Sequence, residues 1–463
     1  MAPPGAPSGP PEGALPLGKT SAILYSTLCL CQLSWTEFRS CCMNEAATLR
    51  EKRTAGRWRL IAHAPPPHRD LCTDCGVSRM ANPKACATAC QFIAPDYARL
   101  ERESHGRTRG TEGDEPFFGV TQRMHRASYQ GSAPGAQWTG LTTALAERAL
   151  REGRVDAVVT VAADPNDRWA PEATIITEPA ALAAARGMRM GYAPVVAAVE
   201  RAQALGFRRL AVIALPCQSY ALRSLEASLG LDALYLIGTP CSDNTSTEHF
   251  HRFLAALDSE PDRIRYLEFC PDYHVELRYE GGQIRRIPFL QLPLQDLGDD
   301  FFPLTCQSCV DYTNSLADIT VGYMAGTGAQ WVVVRNDRGG ALLDALGPQV
   351  TLTPLESQGK RSGPVKGFLE NTRRAAGGLP LRRMPAFLRP LMGWLMPRIG
   401  PRGLEFARAR LEMKAIEAVL HLRRSRPAKL RHMLPQHLWR LVAPYGLRPA
   451  ASEGPPANGK AQG

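Results

Sequence analysis

From residue 141 to 240 the apolar residues follow two alternating rhythms. Leu141, Leu145 and Ala149 recur at helical spacing and stop at Gly153, which predicts a helix. Val155 to Val161 is a short apolar run that predicts a buried strand, with a turn at Asp164-Pro165-Asn166-Asp167. The rhythm then repeats: helix over Val195 to Leu205, strand over Leu210 to Leu215, helix over Gln218 to Leu229, strand over Leu234 to Ile237. Such alternation predicts an α/β fold, a mainly parallel sheet with helices on its faces. Val275 to Phe289 reads as a hairpin around Gly281-Gly282, and Trp331 to Arg335 as a strand. Gly403 to Arg424 reads as an amphipathic helix with Leu404, Ala407, Leu411, Ala415 and Val419 on one face.

These patterns divide the chain into five stretches. Residues 1–67 are expected to be a poorly structured extension, because Met1 to Gly18 is rich in Pro, Gly and Ala. Residues 68–125 form a small cysteine-bearing loop domain, and 126–330 the α/β domain. Residues 331–448 are mixed, then helical, and 449–463 a flexible tail. The apolar run Leu391-Met392-Gly393-Trp394-Leu395-Met396, between Arg389 and Arg398, is too short to span a bilayer. Core packing is expected there, with a membrane surface or an apolar substrate as the alternative.

The 463 residues carry a net charge of +11, with 55 basic and 44 acidic side chains. That balance suits an anionic partner, but no nucleic-acid-binding motif accompanies it, so nucleic acid is set aside. Ile23 to Cys31 is too short for a membrane span and has no charged segment close before it, so no signal peptide is expected. A reducing cytoplasmic setting follows, in which cysteines at motif spacing are ligands rather than disulfides.

There are 13 cysteines. Cys29, Cys31, Cys41 and Cys42 show no ligand spacing. Cys72-Thr73-Asp74-Cys75 is followed after ten residues by Cys86 and then Cys90, four thiols in nineteen positions, able to wrap one metal centre. Spacing alone leaves zinc and an iron–sulfur cluster both open. Cys306-Gln307-Ser308-Cys309 is a second Cys-x-x-Cys. Cys217 and Cys241 each directly follow a strand, which places them at one carboxyl edge of a parallel sheet, where such folds bind ligands. They are credible partners for Cys306 and Cys309, and Cys270 is a further candidate. The small-residue run Ser128 to Gly140 opens a helix and presents backbone N–H groups, either as a phosphate cradle or as a plain cap.

Several blocks stand in order: Cys72-x-x-Cys75-Gly76, Gln137-Trp138-Thr139-Gly140, Asp164-Pro165-x-Asp167-Arg168, Cys217-Gln218, Cys306-x-x-Cys309-x-Asp311-Tyr312-Thr313-Asn314, Val334-Arg335-Asn336 and Gly400-Pro401-Arg402-Gly403. Together they resemble the ferredoxin-dependent divinyl chlorophyllide 8-vinyl reductases and the 7-hydroxymethyl chlorophyll a reductases. Both are similar to the beta subunit of deazaflavin-reducing hydrogenases. The match runs from about Leu71 to Gly446.

The resemblance implies FAD, two 4Fe-4S clusters, reduced ferredoxin as donor and a chlorophyllide-type tetrapyrrole as substrate. Cys217, Cys241, Cys306 and Cys309 are implied to ligate one cluster. Cys72, Cys75 and Cys90 are implied to ligate the other, with Cys86 standing in for the cysteine that the family pattern places where Ser78 stands. Ser132, Gly135, Gln137, Trp138, Thr139, Gly140, Thr142 and Thr143 are implied to contact flavin. His125, Tyr129 and Asp167 are proton-donor candidates expected in flavin-side loops. Arginines of the C-terminal part would pair with a pigment propionate. The expected activity is reduction of an 8-vinyl group in (bacterio)chlorophyll formation, by a cytoplasmic protein peripheral to a photosynthetic membrane. Homo-oligomerisation is open. The alternatives are reduction of a 7-hydroxymethyl group, a non-catalytic electron-relay protein, and a zinc-stabilised binding protein.

Overall fold

The computed structural model describes residues 49–54, 56–62, 71–93, 95–131, 135–136, 138–270, 272–323, 329–358, 361–375 and 384–450. Cys29, Cys31, Cys41, Cys42, Ser132, Gln137 and residues 451–463 lie outside them.

A ten-stranded sheet positions everything else. Its strands are β1 (Leu49–Thr54), β2 (Arg57–Ala62), β3 (Arg123–Tyr129), β4 (Ala157–Ala163), β5 (Pro171–Ile176), β6 (Arg209–Ala214), β7 (Ala233–Gly238), β11 (Ile319–Tyr323), β12 (Gln330–Val334) and β13 (Val350–Pro354), in the order β1-β2-β5-β4-β6-β7-β11-β12-β3-β13. The centre is parallel: β4 with β6, β6 with β7, β7 with β11. Both flanks are antiparallel. Between β7 and β11 in the chain, β8 (Ile264–Cys270), β9 (His274–Tyr279) and β10 (Ile284–Pro288) form a second sheet in the order β10-β9-β8. Its last two strands are the hairpin expected around Gly281-Gly282.

The parallel centre forms because β4, β6 and β7 are buried on both faces and read as unbroken apolar runs. Helices Leu141–Arg151, Val195–Ala204 and Pro216–Leu225 cover them. Leu141, Leu145 and Ala149 are buried, as their spacing predicts. The third helix starts two residues earlier than expected, because proline is tolerated in a helix's first turn and the Gln218 side chain accepts from the Leu215 N–H at 2.9 Å.

The antiparallel flanks depart from the alternating pattern, and the physical reason is pairing rather than periodicity. Residues 49–62, expected to be poorly structured, contribute β1 and β2. Their alternation is masked by Arg59, which is buried because its guanidinium clasps Glu172 of β5 at 2.5 and 2.6 Å. Trp58 completes the strand by packing edge-on against Phe207. The sheet also draws β3, β12 and β13 together, so the divisions expected near 125 and 330 fall within one sheet. Helices Ser362–Ala375, Leu404–Ser425 and Leu438–Val442 pack over Phe118, Tyr312 and Trp331. Leu404, Ala407, Leu411, Ala415 and Val419 are all buried.

Candidate functional site

Parallel strands β6, β7 and β11 end at the same edge, and the Cys306–Asn314 segment crosses it. Cys217 begins the helix after β6, and Cys241 follows β7 by three residues. The Cys241 N–H donates to the Tyr312 carbonyl at 3.1 Å. The Asn314 amide donates to the Ala214 carbonyl at 2.7 Å and to the Thr239 carbonyl at 3.4 Å. Asn314 takes a left-handed backbone (φ 56°), a conformation asparagine tolerates better than most residues. Its close approach needs a glycine at 238, where a Cβ would lie 2.8 Å from the amide.

One cavity at this edge is lined by Cys217, Cys241, Cys306 and Cys309, together with Thr73 and Gln91. Thr73 points its hydroxyl at the Cys217 sulfur at 3.7 Å, and Gln91 its amide at the Cys309 sulfur at 3.9 Å. Burial pushes the Cys217 thiol up to about 11 and the Cys309 thiol up to about 12. Cys241 and Cys306 are pushed well above the usual thiol range, again chiefly by burial, with neighbouring thiols and Asp243 adding to it. Four thiols facing one cavity match the number and kind of ligands a cubane iron–sulfur cluster takes, so the residues present fit that group. Behind them, Lys414 is fully buried and donates to Asp243 at 2.7 Å and to the Cys306 carbonyl at 3.1 Å. Arg410 holds the other carboxylate oxygen of Asp243 at 2.7 Å.

Cys72, Cys75, Cys86 and Cys90 lie alongside. Cys75 is raised well above the usual thiol range by burial and by the neighbouring Cys86, Cys72 and Cys217. Cys90 adds to the upward push on Cys217. The two groups of four are therefore neighbours, with Cys217 facing both. Cys86 opens a short helix, Cys86–Ala89, while Ser78 is buried in the turn Val77–Arg79. Among the described residues, no three His, Cys, Asp or Glu side chains converge closely enough to hold a single metal ion.

The loop implied to contact flavin meets the same edge. Trp138 packs on Tyr323, the last residue of β11, with ring centroids 4.7 Å apart. Trp138 has a positive φ of 54°, and its indole N–H is buried without a hydrogen-bond partner. An orphaned buried donor in a strained glycine-flanked loop fits a flavin-sized ligand with acceptor atoms. Gly140 (φ 77°) caps the following helix, in which Thr142 and Thr143 are half-buried, and Gly135 is exposed. Thr139 is buried and its hydroxyl is held by Gln330, so it is less available to a ligand than expected.

His125 and Tyr129, expected in loops, lie on β3, His125 opposite Val332 and Pro354 and Tyr129 opposite Val350. Burial lowers the His125 imidazole from its ordinary value. Asp167 does lie in a loop, between β4 and β5, where His251 contacts it at 2.7 Å. Cys270 ends β8 beside Glu268, away from the thiol-lined cavity.

Sequence reasoning missed three groups: Asp243, Lys414 and Glu268. Glu268 is 7 % exposed, burial raises its carboxyl above the usual range, and Tyr266 donates to it at 2.8 Å. The Trp138 backbone N–H also bonds it, which ties this carboxyl to the flavin loop. The available signal was a lone glutamate in the apolar strand Tyr266-Leu267-Glu268-Phe269.

Residues 124–200 match the N-terminal part of the coenzyme F420 hydrogenase/dehydrogenase beta subunit, and residues 207–357 its C-terminal part. A protein of Nostoc sp. is 36% identical over 383 residues, covering 82% of this chain and 95% of its own length. The chain belongs to the chlorophyll-reductase family related to the beta subunits of coenzyme F420 hydrogenase/dehydrogenase. Within it, the chain is 37% identical over 386 residues to the chloroplastic 7-hydroxymethyl chlorophyll a reductase of Oryza sativa subsp. japonica, covering 80% of this chain and 82% of that one. It is more distantly similar to the beta subunit of the coenzyme F420 hydrogenase of Methanothermobacter thermautotrophicus, at 25% identity over 45% of this chain and 74% of that one. No helix among the described residues is long and apolar enough to cross a membrane.

Proposed function

We propose that this chain is a ferredoxin-dependent flavin and iron–sulfur oxidoreductase that reduces the 8-vinyl group of a divinyl chlorophyllide to ethyl. The observation that carries the reading is the convergence of Cys217, Cys241, Cys306 and Cys309 on one cavity, in a chain 37% identical to a chlorophyll reductase. In this reading those four hold one 4Fe-4S cluster, and Cys72, Cys75, Cys86 and Cys90 hold the second. FAD sits on the loop from 132 to 143, against Trp138. Bound there, these groups would supply one-electron relay and pairwise delivery to the pigment.

The chain's own residues supply the rest. Gln91 and Thr73 orient the sheet-edge sulfurs. Glu268, its carboxyl raised by burial and braced by Tyr266, is the proton source at the flavin loop, in place of His125, Tyr129 or Asp167. The net charge of +11 suits docking of an acidic ferredoxin.

The name of the rice relative favours a second reading, reduction of a 7-hydroxymethyl group to methyl. Anaerobic protein with reduced ferredoxin, offered divinyl chlorophyllide and 7-hydroxymethyl chlorophyll a separately, decides between them. Spectral conversion of the first pigment supports the 8-vinyl assignment; conversion of only the second replaces it; conversion of neither removes both.

A further inference from the structure

The helix Leu388–Ile399 presents its apolar side outward. Its inner side carries Gly393, against Pro288 and Gln291, where a Cβ would stand 3.1 Å from the proline ring. Outward, Phe387 is 79 % exposed, Leu391 57 %, Trp394 56 % and Ile399 65 %. Phe387, Leu391, Trp394 and Arg398 follow one another at helical spacing and so share one face. With Leu388 and the single Ile284, these are the exposed large hydrophobic residues among the described ones. Core packing, the expectation for this run, is therefore not what covers it.

The charge along this stretch of the chain is mainly positive. From residue 371 to 404 it carries seven arginines and no aspartate or glutamate, with Glu370 and Glu405 flanking it and Arg374 paired with Glu370 at 3.1 Å. Arg398 stacks over the Trp394 ring at 4.1 Å and is exposed, and Arg402, also exposed, donates to the Pro397 carbonyl. Cations thus rim an apolar stripe centred on a tryptophan.

We propose that this face docks on an anionic lipid bilayer, with Phe387, Leu391 and Trp394 entering the headgroup boundary and the arginines meeting lipid phosphates. A basic amphipathic helix with aromatic residues on its apolar face is built to lie in that interface. Twelve residues are too few to span a bilayer, so the helix lies along the surface. A second copy of the chain on the same face would set arginines against arginines. An acidic soluble protein would satisfy the arginines but not the exposed rings.

Flotation of the full chain with phosphatidylglycerol/phosphatidylcholine vesicles, and with phosphatidylcholine vesicles alone, tests this. The chain is expected to float with the anionic vesicles and to be released by raised salt. Leu391→Ser with Trp394→Ser should weaken partitioning by about tenfold or more, Trp394→Phe should largely restore it, and Arg389→Gln with Arg398→Gln should remove the preference for anionic lipid. Circular dichroism identifies any variant that fails to fold. The proposal is overturned if the parent chain does not bind anionic vesicles, or if folded variants bind as well as it does. It is also overturned if light scattering shows a dimer that the serine variant converts to monomer while vesicles capture neither.

Discussion

The side-chain amide of Asn314 lies 2.7 Å from the carbonyl oxygen of Ala214 and joins the segment bearing Cys306 and Cys309 to the strand end bearing Cys217. A second bond, to Thr239, brings in the strand end bearing Cys241. Asn314→Leu removes both donors from buried acceptors and puts a branched side chain at positive φ. It should destabilise the chain by about 2–4 kcal/mol and lower bound iron, both read from denaturation midpoints and metal content. Asn314→Gly, which keeps the backbone conformation accessible, should be the milder change. Equal loss in both variants would assign the effect to the amide alone.

Lys414 fills the opposite side of the same cavity wall. Its ammonium is buried and bonded to Asp243 and to the Cys306 carbonyl. Lys414→Met leaves Asp243 to Arg410. The expected cost is about 3 kcal/mol, the low end for breaking a buried pair. Where the sheet-edge cluster is assembled, removing this positive charge should also make that cluster harder to reduce, seen as a lower midpoint in an electron-paramagnetic-resonance redox titration. An unchanged midpoint would separate the lysine from the cluster's electrostatics.

Glu268 predicts the form of the pH profile. Its carboxyl is raised by burial, and as the proposed proton source it would act in the protonated form, so activity should fall as pH rises through that raised value. Glu268→Gln should lower turnover by about 10²-fold or more and abolish that alkaline limb. Retention of the limb in the variant would move the proton source elsewhere.

His105 makes a contribution to stability of defined sign. Its Nε2 faces the Ser315 carbonyl at 3.1 Å and its Nδ1 faces the Asn336 amide at 3.2 Å, an arrangement for neutral imidazole with the proton on Nε2. Burial, then nearby Arg335, lowers it to about 3. The unfolded chain takes up a proton near pH 6.5 and the folded chain does not. Stability from this group is therefore full above pH 6.5 and is lost progressively as pH falls toward about 3. At pH 5 the loss is about 2 kcal/mol. Denaturant midpoints at pH 7 and pH 5 should show a smaller difference in His105→Gln than in the parent chain.

The parallel centre of the sheet was legible because β4, β6 and β7 are apolar runs with helices between them. From that alternation, Cys217 and Cys241 could be placed beside Cys306 and Cys309 at one edge. The flanks were not legible, because β2 hides behind Arg59, whose burial depends on Glu172 113 residues away. Pairing of His125 with Val332 and Pro354 is equally non-local, so a strand read as loop. Nothing in the sequence set Lys414 and Asp243 apart: Asp243 follows Cys241 by two residues, and the long helix Leu404–Ser425 carries Lys414 to it across 171 residues of chain. The Leu391–Met396 run reads like core by composition; its exposure follows from Gly393 taking the inner side against Pro288.

Iron and flavin quantification on anaerobically purified protein, with Cys309→Ser measured beside it, tests the central claim most directly. Two cubane clusters and one flavin predict about eight irons and one FAD per chain, with about four irons kept in the variant because the N-terminal four thiols are untouched. A colourless preparation carrying zinc and no iron, or a Cys309→Ser variant with full iron and full turnover, would contradict it.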